Sequence, residues 1–256
     1  MPQERDTPLL QPGDIALALA LLTRLPVPLS HGAATRGAAA AWAWPLAGAL
    51  VGGLAALAGS IALALGLPTG VAAGIVLAMG IVLTGALHED GLADCADGFW
   101  GGWDRARRLE IMKDSHIGSY GVLALGLSLI LRWSALSALM AAGHLWGPVI
   151  AAAALSRAPM AGVMHALPNA RGSGLSQSTG RPAQDTVLLG GAVALAVALL
   201  ATGGAVLAAV VAVALAGLAA AAIARARIGG QTGDVLGATQ QLAEIAALAA
   251  LAAVLV

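Results

Sequence analysis

The stretch from Gly37 to Leu87 contains no charged side chain, and this restricts the possible folds more than any other feature of the sequence. It is long enough for two membrane crossings, because each crossing takes about 20 apolar residues. The remaining sequence agrees, since 59% of the 256 residues are hydrophobic and only 10% are charged. This composition excludes the ordinary soluble globular classes. A formal net charge of zero also gives no basic stripe for nucleic acid.

Uncharged stretches separated by turn residues predict an all-α fold, a polytopic membrane bundle of about seven transmembrane helices. A short interfacial helix at residues 15–22 is expected to precede them. Gly48 and Gly52 have the spacing that allows close approach of helix backbones. We expect one membrane domain, 1–256, with an N-terminal cytoplasmic or interfacial segment at 1–43 and the bundle at 44–256. The predicted spans are 44–65, 71–88, 118–140, 145–166, 185–201, 204–223 and 236–255.

Basic residues are distributed on one side of this predicted bundle. The tight turns near residues 67, 142 and 203 contain no Lys or Arg, and the other connections contain nearly all of them. By the positive-inside rule, the basic connections face the cytoplasm. The sequence therefore predicts a multi-pass protein of the cell (inner or plasma) membrane. Its active-site loops, 89–117, 167–184 and 224–235, are predicted to face the cytoplasm.

Acidic residues are concentrated directly after the uncharged stretch. If the second span continues as a helix to Gly98, Asp90, Asp94 and Asp97 share one face, because they are four and three residues apart. Carboxylates about 5 Å apart repel by roughly 3 kcal/mol at an effective dielectric of about 20. A divalent cation would remove that repulsion, and oxygen-only ligands favour Mg²⁺ or Mn²⁺ over Zn²⁺. The alternative is a solvated acidic helix end.

A hard cation bound by carboxylates usually acts on phosphates, so anion-binding groups are expected nearby. Two glycine-rich loops on the same predicted side, 169–174 and 229–234, offer backbone amides and nearby arginines. Charges inside predicted spans should face the bundle interior. Those charges are Arg132, Arg157 and Glu244, and Glu244 can pair with an arginine or contact substrate. The predicted substrate-binding residues are Asn169, Arg171, Gly230, Thr232, Asp234 and Arg157.

Six segments occur in order along the chain: 22–28 (LTRLPVP), 85–94 (GALHEDGLAD), 96–102 (ADGFWGG), 108–115 (RLEIMKDS), 117–121 (IGSYG) and 229–234 (GGQTGD). Together they resemble the cobalamin synthase (adenosylcobinamide-GDP ribazoletransferase) family. The resemblance extends from about residue 15 to residue 245, and the block at 85–121 is its most specific part. Cys95 and His116 receive no catalytic role from it.

This resemblance implies a transferase of cobalamin (vitamin B12) biosynthesis. The family joins adenosylcobinamide-GDP to α-ribazole or its 5′-phosphate, releases GMP and needs Mg²⁺. Asp90, Asp94 and Asp97 are then the predicted metal ligands. Glu89 or Asp114 is the predicted catalytic base for the attacking ribose hydroxyl. The expected partners are these small-molecule substrates, membrane lipid and other proteins of the corrin pathway, and no nucleic acid.

Two other functions fit part of the sequence. A CDP-alcohol phosphotransferase of phospholipid synthesis also has Asp-rich metal ligands at a helix end. Its Asp-Gly-x2-Ala-Arg start is not met, because Asp90-Gly91 is followed by Leu92-Ala93-Asp94. A cation transporter would need carboxylates near the middle of the membrane. The acidic residues of this chain instead lie at a predicted cytoplasmic end.

Overall fold

The computed structural model describes residues 8–29 and 32–256, and the regular structure of these residues is helical. This confirms the predicted all-α fold and the short N-terminal apolar helix. A 3-10 segment, Ala33–Ala43, precedes the second helix. The α-helices are α1 (Gly13–Leu22), α2 (Trp44–Ala64), α3 (Thr69–Thr84), α4 (Leu87–Gly101), α5 (Arg105–Ile111), α6 (Ser119–Ala141), α7 (Trp146–Leu155), α8 (Ala158–Ala166), α9 (Leu175–Thr179), α10 (Gln184–Thr202), α11 (Val206–Ile228) and α12 (Gly233–Leu255).

Five helical stretches of the described chain are long and apolar enough to cross a membrane, or six if α3 and α4 form one span. One of the five, Gln184–Ile228, has 45 residues. At 1.5 Å per residue it would extend about 68 Å, roughly twice the thickness of a bilayer core. Gly203, with φ +56°, interrupts this stretch between α10 and α11. Two of the predicted spans therefore lie in it, and the total of seven crossings stays a prediction.

The second predicted span, 71–88, does not continue as one helix to Gly98, because α3 ends at Thr84 and α4 begins at Leu87. Gly85 and Ala86 both have positive φ, 64° and 58°, and the chain bends by 89° between α3 and α4. A left-handed residue cannot continue a right-handed helix, so the apolar and acidic segments become separate helices. The acidic residues nevertheless stay on one helix, because α4 runs from Leu87 to Gly101.

Small residues allow the closest helix contacts. A Cβ atom added to Gly52 would lie 2.9 Å from the Val149 carbonyl oxygen, so α2 and α7 pack backbone to backbone, as the Gly48–Gly52 spacing predicts. A Cβ atom at Gly91 would lie 2.6 Å from the Asp234 carbonyl oxygen. Because Gly91 has no side chain, α4 packs directly against the backbone at the start of α12.

Helix α12 passes through both apolar clusters of the bundle and through a polar layer between them. Val235 and Leu236 belong to one cluster, and Leu248 and Leu251 belong to the other. Between these positions, polar side chains of α12 meet polar side chains of α4, α6 and the α7–α8 junction. We call this group the buried polar layer. Its members are His88, Glu89, Arg132, Arg157, Gln240, Gln241 and Glu244, and they line a cavity of about 50 Å³.

Candidate active site

Crossing of α4 and α12 brings three carboxylates together. Gly91 contacts the backbone of Asp234, and Gly237 contacts the backbone of His88, so no side chain separates the two helices there. The carboxylates of Asp90, Asp94 and Asp234 are consequently close enough to repel one another. Asp90 is exposed, whereas Asp94 and Asp234 are half-buried. Two of these residues were predicted as metal ligands and the third as a substrate-binding residue.

Arg171 supplies the positive charge closest to this carboxylate cluster. One of its terminal nitrogens lies 2.7 Å from the Asp234 carboxylate, and its buried Nε has no hydrogen-bond partner among the described residues. One guanidinium therefore balances only part of the charge of three carboxylates. Over residues 8–29 and 32–256, no three His, Cys, Asp or Glu side chains form a ready-made metal site. The oxygen-only donors and the remaining negative charge nevertheless fit the chemistry of Mg²⁺.

The two glycine-rich loops bind each other through their backbones. Ala170 N–H donates to Gln231 O, and Gln231 N–H donates to Pro168 O, both at 2.8 Å. A side chain at Gly230 would overlap the Pro168 carbonyl. From α5, Arg105 donates to Ile228 O at 2.7 Å and to Ala170 O at 2.8 Å. These contacts fix the positions of Arg171 and Asp234.

Two other predicted substrate-binding residues act on the shape of these loops. The Asn169 side-chain oxygen accepts the backbone N–H groups of Arg171 and Gly172 at 3.0 and 2.8 Å. Thr232 is buried, and its hydroxyl accepts the Val235 N–H at 3.3 Å. It therefore caps the start of α12, the kind of role that Ser and Thr favour.

Asp97 has different surroundings from Asp90 and Asp94. It is buried, and its two carboxylate oxygens accept the N–H groups of Gly118 and Gly121 at 2.7 and 2.9 Å. These N–H groups lie at the start of α6, where unpaired amides favour a negative charge. Asp97 therefore joins α4 to the N-terminus of α6.

Glu89 and Arg157 lie in the buried polar layer. Glu89 Oε1 accepts hydrogen bonds from Arg132 at 3.3 Å and from Gln241 at 3.1 Å. Glu244 pairs with Arg157 at 2.9 Å and with Arg132 at 3.3 Å. The charges inside the predicted spans therefore face the bundle interior, as expected. Gln240 and Gln241 also belong to this layer and were not predicted, although the polar stripe at 240, 241 and 244 of α12 is a signal for them.

Asp90 lines two cavities. The first, which we call the loop pocket, has a volume of about 160 Å³ and is lined by helices α1, α2, α4, α8, α9 and α12 and by the loop carrying Arg171. The second, which we call the acidic cleft, has a volume of about 440 Å³ and lies between α4 and the segment 112–117. Its polar lining comes from Glu89, Asp90, Asp94, Lys113, Asp114, Ser115 and His116.

Asp114 lies on the exposed wall of the acidic cleft. Its carboxylate accepts the backbone N–H of His116 at 3.1 Å and is 2.7 Å from the His116 ring nitrogen Nδ1. The bond from the His116 side chain, followed by that from its backbone, lowers the pKa of Asp114 below its ordinary value. The carboxylate is therefore ionised at neutral pH and can accept a proton only as a weak base.

Comparison with known proteins identifies the family. A sequence profile described as cobalamin-5-phosphate synthase matches residues 14–252. The chain belongs to this family. Three relatives carry the name adenosylcobinamide-GDP ribazoletransferase. The protein from Mesorhizobium japonicum is 44% identical over 92% of this chain and 91% of its own length. The proteins from Bradyrhizobium diazoefficiens and Azorhizobium caulinodans are 47% and 48% identical, over 94% and 92% of this chain and 93% of theirs.

No solved structure matches the chain. The matched residues, 14–252, include both glycine-rich loops, the whole of α4 and the buried polar layer. This range agrees with the resemblance found in the sequence, which extends from about residue 15 to residue 245.

Proposed function

We propose that this chain is an adenosylcobinamide-GDP ribazoletransferase, acting in the final step of cobalamin synthesis on adenosylcobinamide-GDP and α-ribazole. One observation carries the proposal: relatives of that name are 43–48% identical to the chain over more than nine-tenths of its length. The site supports it, because carboxylates of the cluster line two cavities, with Asp90 lining both, and the reaction has two substrates.

The transfer exchanges one bond to phosphorus for another. A ribose hydroxyl oxygen of α-ribazole forms a bond to the phosphorus that carries the cobinamide arm. The bond from this phosphorus to the oxygen of the GMP phosphate breaks, and GMP leaves with that electron pair. The hydroxyl proton passes to a base. Asp90 borders both cavities, so this exchange is best placed beside it.

We assign Mg²⁺ binding to Asp90 and Asp94 and retain Asp97 as the third predicted ligand. Bound Mg²⁺ would neutralise diphosphate charge and the charge that develops on the leaving oxygen. The repulsion between Asp90, Asp94 and Asp234 supports this assignment, because Arg171 balances it only in part. Asp97 accepts two backbone N–H groups, so its part is to orient the start of α6 as well.

Other residues of the chain bind the phosphates and accept the proton. The Arg171 Nε has no hydrogen-bond partner within residues 8–29 and 32–256, and we assign this side chain to the diphosphate together with the amides of the loop that Asn169 shapes. Glu89 and Asp114 both line the acidic cleft, and we propose one of them as the base. Arg157 acts from the buried polar layer, through Glu244, rather than by contact with phosphate.

The orientation and the finer identity of the partners belong to the same proposal. The connections around the site contain most of the basic residues of the chain. By the positive-inside rule such connections face the cytoplasm, so we place the site on the cytoplasmic side of the cell membrane. α-Ribazole 5′-phosphate is then an alternative acceptor, and lipid surrounds the apolar helices. Proteins of the corrin pathway can approach the site from the cytoplasm.

The experiment that tests the proposal follows GMP release by the purified protein in detergent. GMP should appear only with adenosylcobinamide-GDP, α-ribazole or its phosphate, and Mg²⁺ together. EDTA should stop the reaction, and Mg²⁺ or Mn²⁺ but not Zn²⁺ should restore it. Release of CMP from CDP-diacylglycerol and an alcohol, without GMP from the corrinoid mixture, would instead support the lipid enzyme. Mg²⁺ uptake into proteoliposomes without either nucleotide would support a transporter.

Glu89→Gln and Asp114→Asn distinguish the two candidate bases. The variant that removes the base should lose at least about 100-fold in turnover, since general base catalysis contributes about 10²–10⁴-fold. The other variant should keep most of its activity per folded molecule, with the folded fraction measured by thermal unfolding, because Glu89→Gln also removes one of the two carboxylates that pair with the buried Arg132. Mg²⁺ dependence should be unchanged in both, because neither residue is assigned to the metal. A change in the Mg²⁺ dependence of either variant would argue that its carboxylate binds metal instead.

A further inference from the structure

We infer that Gln241 of α12 is a positioning residue for the transfer. Its side-chain amide fixes the orientation of the Glu89 carboxylate, so that the second oxygen, Oε2, remains for the substrate bound in the acidic cleft. The inference rests on the proposed function, in which Glu89 is one of two candidate bases. It gives a role to a glutamine outside the predicted site and to Ser128 of α6, which contacts this glutamine.

The two oxygens of the Glu89 carboxylate have different surroundings. Oε1 accepts hydrogen bonds from Gln241 and from both terminal nitrogens of Arg132. Oε2 is buried and has no hydrogen-bond partner among the residues that the structure describes. A buried polar atom without a partner is unfavourable, and in a native protein a catalytic role or a bound molecule explains it. Because Glu89 lines the acidic cleft, we assign Oε2 to the attacking hydroxyl of the substrate.

Distances indicate that Gln241, rather than Arg132, fixes this orientation. Each terminal nitrogen of Arg132 is 3.3 Å from Glu89 Oε1, beyond the usual range of about 2.7–3.2 Å for such bonds. One of these nitrogens is also 3.3 Å from Glu244, so the guanidinium is shared between two carboxylates. The Gln241 amide donates to Glu89 at 3.1 Å, within the usual range. Arg132 therefore supplies the opposite charge, and Gln241 supplies the direction.

The amide of Gln241 is itself fixed by hydrogen bonds. Its nitrogen donates to Glu89 and, at 2.9 Å, to Gln240 Oε1, and its oxygen accepts the Ser128 hydroxyl at 3.0 Å. An ionised carboxylate only accepts hydrogen bonds, so turning this amide over would place its oxygen against Glu89 and lose the bond. Gln241 and Ser128 are 1% and 2% exposed, and bulk water therefore has little access to these groups.

Helices other than α4 thus set the orientation of Glu89. Ser128 and Arg132 are four residues apart on α6, a spacing that places them on the same face, and Gln241 comes from α12. Asp90 and Asp94, which we assign to Mg²⁺, are both on α4. A change at Gln241 should therefore alter turnover while leaving the Mg²⁺ requirement as it is.

The test measures GMP release per folded molecule, with the folded fraction taken from thermal unfolding. Gln241→Met removes the amide at similar volume and should lower kcat at least about tenfold, because misplaced groups react slowly, with the KM of each substrate within about twofold. Ser128→Ala should cause a smaller loss of the same kind. Thr239→Val is the matched control, because Thr239 is also buried on α12 but its hydroxyl donates to Val235 O within that helix. It should leave kcat unchanged.

The same changes in a Glu89→Gln background separate positioning from structure. If Gln241 acts through Glu89, adding Gln241→Met to Glu89→Gln should lower kcat by less than about twofold. An equal loss in both backgrounds would show that Gln241 is only structural and overturn the proposal, as would a Glu89→Gln protein with unchanged turnover. If Gln241→Met does not fold, Ser128→Ala provides the same comparison. If the unaltered protein releases no GMP, the proposed function itself fails, which is a separate outcome.

Discussion

Three aspartates that the sequence presents as equivalent differ in what they contact. Asp90 is exposed and lines two cavities, and Asp94 is half-buried one turn further along α4. Asp97, one turn further along α4, accepts two backbone N–H groups from α6. A shared helix face therefore does not give a shared role, because the partner of each carboxylate comes from another helix.

We predict different effects on protein stability at two of these positions. Asp94→Asn should lower turnover at least about 100-fold, the scale expected when a metal site loses a ligand or its support. Its thermal stability should not fall, because one of three repelling charges is removed. Asp97→Asn should lower the stability by about 1–2 kcal/mol, because it loses a charged cap at the start of α6.

Thermal unfolding in detergent and GMP release measure the two effects separately. Glu110→Gln is a suitable control for the loss of a carboxylate, because Glu110 is exposed and its ion pair is with the exposed Arg107. An Asp94→Asn protein with near-normal turnover at saturating Mg²⁺ would remove Asp94 from the ligand set. An Asp97→Asn protein with unchanged stability would show that its bonds to Gly118 and Gly121 contribute little.

At the scale of whole helices, the site depends on how closely α4 and α12 approach each other. This distance is set by Gly91 and Gly237, each of which contacts the backbone of the opposite helix. Asp90 and Asp94 are carried by one of these helices and Asp234 by the other. Any change in their separation therefore changes the separation of the carboxylates.

Gly91→Ala should accordingly impair the site without altering any polar side chain. The added methyl group would lie 2.6 Å from the Asp234 carbonyl oxygen, too close for contact, so α4 and α12 must move apart. We expect a fall in turnover of at least tenfold and a higher Mg²⁺ concentration for half-maximal rate. A methyl group added at Gly74 on α3 would have no described atom within 4 Å, so Gly74→Ala should leave the turnover and the Mg²⁺ requirement unchanged. Equal behaviour of the two variants would contradict the role of the close approach.

Much of the helical arrangement could be predicted from the sequence, because hydropathy is a local property. The bend at Gly85–Ala86 could not, since an alanine with φ +58° has no local signal of that conformation. The partners of Glu89 were also not predictable, because Arg132 and Gln241 are 43 and 152 residues away in sequence. The meeting of Asp234 with Asp90 and Asp94 is a tertiary contact of the same kind.

At the scale of the whole molecule, the buried polar layer joins the helices that carry the site. Arg132 from α6 pairs with Glu89 of α4 and with Glu244 of α12, and Arg157 at the α7–α8 junction pairs with Glu244. The positive charges of Arg132 and Arg157 balance the negative charges of Glu89 and Glu244 within this layer. Removal of one partner of a buried pair costs about 3–5 kcal/mol, because an uncompensated charge remains.

Glu244→Gln should therefore reduce stability far more than the double variant Arg157→Gln with Glu244→Gln. The single change leaves Arg157 buried without its carboxylate, whereas the double change restores the charge balance of the layer. Unfolding midpoints in the same detergent measure the difference. Glu110→Gln should have almost no effect, since exposed ion pairs contribute about 0–1 kcal/mol. If the double variant is the less stable one, these side chains stabilise the bundle through hydrogen bonds rather than charge balance.

Membrane orientation is the property of the whole molecule on which the proposed cytoplasmic site depends. We predict that cysteines introduced in a Cys95→Ser background at Leu67 and Gly204 react with an impermeant maleimide in intact cells. Cysteines at Trp103 and Leu175 should react only after permeabilisation. The three native residues Leu67, Trp103 and Leu175 are exposed, and Gly204 has open space around it, so access depends on the side of the membrane. Trp103 and Leu175 flank the loops around the site, and labelling of both in intact cells would place the carboxylate cluster outside, where cytoplasmic substrates cannot reach it.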